Sequence, residues 1–220
     1  MRWLLALLAL LTVSAARAPD WTRTVTVTPA GAYVLGNPKA RVKLVEYASY
    51  TCPHCAHFAA ESAAPLRATI RSGSTSWELR HLVRDRLDLA AAILARCTGR
   101  QGFFGSTEAI FAAQDQWLMR GMQYEQLNGS QLRLYGQADQ LRALADGSGL
   151  TALVQARGLT PTATAACFAD EAGIARITAM TGAKPPEVTG TPTFFINGRV
   201  VPRATDWSSL QPALRAAGAK

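Results

Sequence analysis

Charge is thin in this sequence. Only 17% of its 220 residues are Asp, Glu, Lys or Arg, and acids are the rarer sign, 15 against 23 bases. The basic excess is scattered, mostly as single arginines. No run of it tracks a phosphate backbone, which argues against nucleic-acid binding and for a mildly cationic surface. Histidine is scarcer still, at three: His54, His57 and His81. Together with Cys52 and Cys55, the first two make one knot of metal-ligand residue types, but no matching second pair completes a zinc site. Internal repeats and low-complexity tracts are lacking, which excludes repeat arrays and flexible linkers. After the first 13 residues no stretch approaches the roughly 20 apolar residues that span a bilayer. Apolar residues themselves are plentiful, at 49%. That content builds a core, argues against disorder and suits one domain or one domain with an insertion.

The single long apolar run opens the chain. "MRWLLALLALLTVSAARAPD" places Arg2 before an apolar stretch from Trp3 to Val13 and ends it with Ala16-Arg17-Ala18. A charged start, a short greasy centre and an A-x-A site are the pattern of a secretory signal peptide. Residues 1–18 are therefore expected to be removed after Ala18 and the remainder exported; the alternative is an uncleaved anchor. In an oxidising compartment an even cysteine count favours disulfides over zinc. Four cysteines allow three pairings.

Along the mature chain, Thr alternates with Trp21, Arg23, Val25 and Val27, which predicts one early strand. "RVKLVEYAS" reads as a strand covered on both faces, and "TSWELRHLV" (75–83) as a second core strand. Between them "PHCAHFAAESAAPLRATIR" is helical, with Pro53 at the first helical position and Pro65 expected to kink it. About a hundred residues follow with no convincing strand. Helices are predicted at "DRLDLAAAILARCTG", "STEAIFAAQDQWL", "ADQLRALADG" and "LTALVQARG", and as one further helix over 160–182. "TPTFFINGRVVP" is a hairpin around Asn197-Gly198, and "DWSSLQPALRAAG" closes the chain as a helix capped by Asp206. The expected architecture is an α/β sheet domain, residues 19–84 and 184–220, interrupted by an all-helical subdomain over 85–183.

The chemistry concentrates in "EYASYTCPHCAHFA", residues 46–59. Cys52 stands where a strand ends and a helix begins, facing free backbone N–H groups and the positive end of the helix dipole. Both stabilise a thiolate, the reactive form of cysteine, and activated cysteines titrate at roughly 3.5–7.5. Cys55 lies almost one turn deeper. Cys52 can exchange with a foreign disulfide and Cys55 can resolve the mixed disulfide. Pro53 fixes the helix start, and His54 can add a hydrogen bond or positive charge beside Cys52. A local staple is the first alternative, yet so short a loop hardly constrains the unfolded chain. A metal clamp is the second.

Cys97 shares a helical stripe with Leu87, Ala90 and Leu94, and Cys167 lies on the face that also carries Ile174. Two inward cysteines in one oxidised helical block are expected to form a structural disulfide; two separate buried thiols are the alternative.

"VEYASYTCPHCAHF" resembles the active-site stretch of bacterial periplasmic DsbA-type thiol–disulfide oxidoreductases, and "GTPTFFINGR" is similar to the cis-proline loop and hairpin of the thioredoxin superfamily. DsbA-type enzymes themselves supply the low end of the thiol range just given. The resemblance implies a thioredoxin-like fold with an inserted helical subdomain, periplasmic location, and no cofactor beyond the Cys52–Cys55 disulfide. It implies Cys52 as exposed nucleophile, Cys55 as resolving thiol, and Pro192 as the cis-proline. Thr191 is then the residue whose backbone binds a substrate strand. Glu46 matches the family's partly buried acid, able to pass a proton to or from Cys55; a strand-edge surface Glu is the alternative. His57 and His81 are read as structural. The implied partners are reduced or unfolded exported proteins and a quinone-linked membrane thiol oxidase, with the protein a monomer. One position departs from the pattern: oxidases of this type commonly carry Val where Thr191 stands, and Thr is typical of DsbC-type isomerases. The function expected first is catalysis of disulfide formation. Isomerase or reductase activity is the alternative within the class, and a copper-tolerance metal-binding module or a redox-inert folding helper lies outside it.

Overall fold

The computed structural model describes residues 19–220, so the expected leader and its cleavage point after Ala18 lie outside the described residues. Asp20 accepts a hydrogen bond from Thr22 N at 3.1 Å and starts a single 3-10 turn, Trp21–Arg23. Strand structure begins only at β1, Val25–Val27, which pairs antiparallel with β2, Tyr33–Gly36. One early strand was expected here, and two are found. Pro29 has no N–H for a ladder, and Gly31 (φ 87°) turns the chain back with its N–H on Thr28 O at 2.8 Å.

Next come β3 (Val42–Ala48), α1 (Pro53–Arg71) and β4 (Thr75–His81). With β5 (Thr193–Ile196) and β6 (Arg199–Val200) the strands form one sheet in the order β1-β2-β4-β3-β5-β6. The central β3–β4 pair is parallel and every other pair antiparallel. Along α1, Cys55, Phe58, Ser62, Leu66 and Ile70 are buried. Their steps of three and four residues make one stripe against the core. The helix runs through Pro65 unbroken; the carbonyl left without a donor belongs to Glu61, which is exposed and open to water.

Seven helices separate β4 from β5: α2 (Arg86–Cys97), α3 (Gly99–Ala112), α4 (Gln114–Leu132), α5 (Gln137–Ser148), α6 (Leu150–Gln155), α7 (Pro161–Ala169) and α8 (Glu171–Gly182). α2 is their axis. Every residue from Leu87 to Ala95 is buried, as in a helix packed on all sides. Ala90, Ala91 and Ala92 let its neighbours approach closely. Two predicted helices are divided. The chain turns at Ala113, so "STEAIFAAQDQWL" straddles α3 and α4. Residues 160–182 break at Asp170, whose carboxylate accepts from Gly173 N at 2.9 Å and starts α8. That Asp-x-x-Gly capping signal lies inside an otherwise continuous helical pattern.

The end of the chain follows its turn chemistry. Asn197 (φ 51°) and Gly198 (φ 80°) occupy the left-handed region that a two-residue hairpin needs, and Asn197 Oδ1 ties the turn to β3 by accepting from Lys43 N at 2.8 Å. α9, Trp207–Ala217, starts from a capping box of Asp206 and Ser209. Among the described residues no helix is long and apolar enough to cross a membrane.

The sulfurs of Cys97 and Cys167 are bonded, tying the end of α2 to α7 across a sequence separation of 70. Closing a loop of that size is worth about 4 kcal/mol in the chain-entropy account. Urea unfolding of a Cys97→Ala/Cys167→Ala protein is expected to show a loss of about 2–4 kcal/mol. The alkylation rate of Cys52 should stay at the parent value, and a stability within experimental error of the parent would contradict the assignment.

Candidate active site

β3 ends at Ala48, residues 49–51 turn, and Cys52 (φ −92°, ψ 118°) is the N-cap of α1. Pro53 takes the first helical position, where its missing N–H costs nothing. Cys52 O accepts the first two helical bonds, from Cys55 N at 3.1 Å and Ala56 N at 3.2 Å. Its sulfur makes no conventional capping hydrogen bond, and the nearby amides act on it as oriented dipoles. The Thr191–Pro192 peptide is cis. Thr191 sits directly over the nucleophile, its carbonyl oxygen 3.1 Å from the Cys52 sulfur, a contact that serves as a hydrogen bond only when Cys52 is protonated.

Four influences favour the Cys52 anion. The strongest is a hydrogen bond from the Cys55 thiol, followed by one from the Thr191 side chain and by the backbone N–H groups of Cys55 and His54. Against the cost of burial they hold the Cys52 pKa down to about 4. The same arrangement works in reverse on Cys55. Burial, the hydrogen bond it gives to Cys52, and the negative charges of Glu46 and Cys52 push its pKa well above the ordinary thiol value. Cys55 is fully enclosed, at 0% exposure.

Glu46 lies below the pair on β3, flanked by Leu79 of β4 and Phe194 of β5. The alternative of a strand-edge surface acid is thus corrected: the strand is central and the residue is 1% exposed. Burial drives its pKa up to about 8, opposed by a 3.0 Å hydrogen bond from Trp77 Nε1 and reinforced by the Cys52 charge. At pH 7 the site therefore holds one anion, Cys52, above a neutral thiol and a largely neutral carboxyl.

The expectation of an exposed nucleophile is also corrected. Cys52 is only 3% exposed, closed over by the Thr191 loop. Pro53 and His54 are exposed. His54 acts on Cys52 through its backbone N–H, in place of the side-chain contact expected from its position. His57 pairs with Glu61 at 3.1 Å on the surface of α1. His81 is buried beside Tyr50 and Phe103 with Nε2 unpaired, and burial, with the Arg96 charge, drives its pKa down to about 3. Among the described residues no three His, Cys, Asp or Glu side chains converge as metal ligands. Beside Pro53 a groove of about 470 Å³ runs between α1 and the α3–α4 junction, floored by Ala56, Ala60, Phe111 and Ala112.

Several residues of the site carried no reading in the sequence. Trp77 is the buried partner of Glu46. Asp85 caps α2 by accepting from Asp88 N at 2.8 Å, and its other oxygen accepts from Thr51 Oγ1 at 2.7 Å. Asp88 is an acid in the buried stretch of α2, its pKa raised by burial to about 7 against hydrogen bonds from Ser49, Arg84 and Tyr50. The available signal was its setting, an Asp between Leu87 and Leu89 in an apolar run. Gln114, at the start of α4, had none.

A sheet with a parallel centre, a Cys-x-x-Cys pair at the N-terminus of the helix leaving its central strand, and a Thr-Pro loop over the first cysteine define the thioredoxin-like class, here with a helical insertion. A family model described as Thioredoxin matches residues 28–216, and the chain belongs to that family. Among solved structures it is similar to a protein-disulfide isomerase from Novosphingobium aromaticivorans, with 33% identity and a TM-score of 0.76 over 83% of this chain and 95% of that one. It is also similar to alpha-DsbA1 of Wolbachia pipientis, at 26% identity and TM-score 0.61 over 77% and 76% of the two chains. A Rickettsia conorii protein named provisionally as a protein-disulfide oxidoreductase is 32% identical over 75% of this chain and 53% of its own length. The chain thus spans about half the length of the curated relatives it matches.

The charge on Cys52 is open to direct measurement. Thiolate absorbance near 240 nm in the reduced protein is expected to titrate around pH 4, and Cys52→Ser should abolish that step; a midpoint near the ordinary thiol value of about 8.5 would contradict the geometry.

Proposed function

We propose that this protein is an exported, periplasmic thiol–disulfide oxidoreductase of DsbA type that passes the Cys52–Cys55 disulfide to reduced secreted proteins. The observation that carries this reading is the inequality of the two thiols: Cys52 held as an anion, Cys55 as a buried neutral thiol. The names of the relatives in Novosphingobium, Wolbachia and Rickettsia support the same class.

Electron flow follows from that inequality. A substrate thiolate attacks Cys52 of the oxidised pair, forming a mixed disulfide and breaking the Cys52–Cys55 bond. Cys55 leaves as a poor anion and needs a proton. Glu46, buried beneath it and largely protonated at pH 7, is the donor. A second substrate thiolate then attacks the substrate sulfur of the mixed disulfide and expels Cys52. Cys52 is a good leaving group because its anion is stabilised. The substrate loses two electrons and gains a disulfide, the protein retains Cys52 thiolate and Cys55 thiol, and Glu46 recovers from solvent the proton it gave. Return to the disulfide falls to a quinone-linked membrane thiol oxidase, with the protein working as a monomer after removal of its leader at Ala18.

The pH dependence has a definite sign. The Cys52 pKa is depressed in the folded reduced state, so the thiolate stabilises that state fully above the unfolded thiol value of about 8.5. The gain declines as pH falls and is gone below about 4. The oxidised state has no such term. Reduction of an ordinary disulfide takes up two protons, so its potential rises as pH falls. Here Cys52 stays a thiolate and Cys55 alone takes a proton, so the potential is expected to rise only about half as steeply through this window. The couple's oxidising advantage over an ordinary dithiol therefore shrinks on acidification.

Oxidation of a reduced two-cysteine peptide tests the function. Wild type should catalyse it and Cys52→Ser should not; equal rates would refute the assignment. Glu46→Gln should slow the step at pH 7 by about 100-fold, the low end of general acid catalysis.

Thr191 favours a second reading. Its side chain adds to the stabilisation of the Cys52 thiolate, which eases release of a mixed disulfide from a wrongly paired substrate, and one similar structure bears the name protein-disulfide isomerase. Refolding of a scrambled multi-disulfide protein separates the two. An isomerase restores activity in its reduced form, whereas an oxidase leaves the scrambled pairs in place.

A further inference from the structure

The turn that delivers the nucleophile is held from outside the sheet. Gln114 is 2% exposed, and its Nε2 donates to Tyr50 O at 2.7 Å and to Cys52 O at 2.9 Å. From another side, Asp88 Oδ1 accepts from Tyr50 N at 2.7 Å, and its Oδ2 accepts from Ser49 Oγ at 2.6 Å and Arg84 N at 2.9 Å. Asp85 takes the Thr51 hydroxyl. Both polar atoms of the Tyr50 backbone, the Cys52 carbonyl and two hydroxyls of one four-residue segment thus end on three side chains of the helical block. Within the segment itself the backbone makes two further bonds, Cys52 N to Ser49 O and Thr51 N to Ser49 Oγ, both at 3.2 Å.

The Cys52 carbonyl joins this frame to the chemistry. It accepts the first helical bonds from Cys55 and Ala56 as well as the Gln114 amide. Its orientation therefore sets where the Cys52 sulfur lies relative to the amides of His54 and Cys55. We propose that the helical insertion is a positioning device for the nucleophile, in which Gln114 fixes the Cys52 N-cap and thereby sets the redox equilibrium of the Cys52–Cys55 pair. This rests on the oxidoreductase reading above. Gln114 does not touch reacting atoms; it acts through the Cys52 carbonyl.

A purely structural hydrogen bond and a positioning one predict different results. In the reduced protein Cys52 carries a charge that depends on the aim of the surrounding donors; in the disulfide the sulfur carries none. Releasing the N-cap penalises the reduced state alone, whereas lost packing or burial penalises both states alike. Gln114→Met keeps the length and volume of the side chain and removes both donated bonds. One net hydrogen bond corresponds to roughly a fivefold change in an equilibrium constant.

The experiment equilibrates full-length wild type, Gln114→Met and the surface control Gln126→Met with glutathione buffers, and titrates the thiolate absorbance of each. Gln114→Met is expected to shift the equilibrium about fivefold toward the disulfide and to raise the Cys52 titration midpoint, with Gln126→Met matching wild type. Agreement of Gln114→Met with wild type in both measurements would overturn the proposal, whatever its stability. If wild type fails to exchange with glutathione, the oxidoreductase reading falls, and the titration midpoint alone decides the positioning role. Should Gln114→Met not fold, Asp88→Asn loosens the same turn from its other side and is read by the same two measurements, a rise in the midpoint supporting the proposal and no change refuting it.

Discussion

A sulfur anion that is almost enclosed by protein dictates the layout of everything around it. Burial alone makes a charge expensive, yet Cys52 is 3% exposed and its pKa is about 4. The contradiction is resolved by donors that were oriented when the chain folded: the Cys55 thiol, the Thr191 side chain and the amides at the start of α1. Each of these has its own support. Cys55 remains a donor because it is sealed in the core, Thr191 is placed by the loop before β5, and the amides are aimed by the cap. Glu46 completes the arrangement by staying largely uncharged at neutral pH, since a second anion under the first would undo the balance.

The two cysteine pairs illustrate how position decides chemistry. Cys97 and Cys167 lie on separate helices, and their bond closes a long loop. That is the geometry in which a crosslink restrains the unfolded chain. Cys52 and Cys55 enclose two residues, restrain almost nothing, and differ sharply in acidity. The first pair suits permanence and the second exchange.

Much of this was legible in the residues. The strand–Cys-x-x-Cys–helix order, the Asn197-Gly198 hairpin and the capped final helix announce themselves because each depends on local chemistry. The helical character of the insertion was visible as well, although two of its boundaries were not. Ala113 carries no breaking signal at all, and the Asp170 cap is concealed in a helical pattern. The frame around Cys52 was hidden for a deeper reason. Gln114 and Asp88 act on residues 62–64 and 38–39 positions away, and no periodicity or spacing rule encodes which distant polar side chain will meet a given carbonyl. An acid on an apolar helix hints at a buried role without naming its partner. The family resemblance implied an exposed Cys52; in the structure the Thr191 loop covers it.

The long reach of that frame bears on the order in which the molecule is completed. During synthesis Cys52 and Cys55 emerge before Asp85, Asp88 and Gln114. Contacts so distant in sequence close late, because the intervening chain must first be ordered. Until α2 and α4 dock, the turn at 49–52 lacks its holders, and until the later Thr191 loop docks, Cys52 lacks one of the donors that lower its pKa. The nascent chain thereby passes through its most entangled stage with its sharpest reagent blunted. Reactivity arrives as a certificate of finished folding.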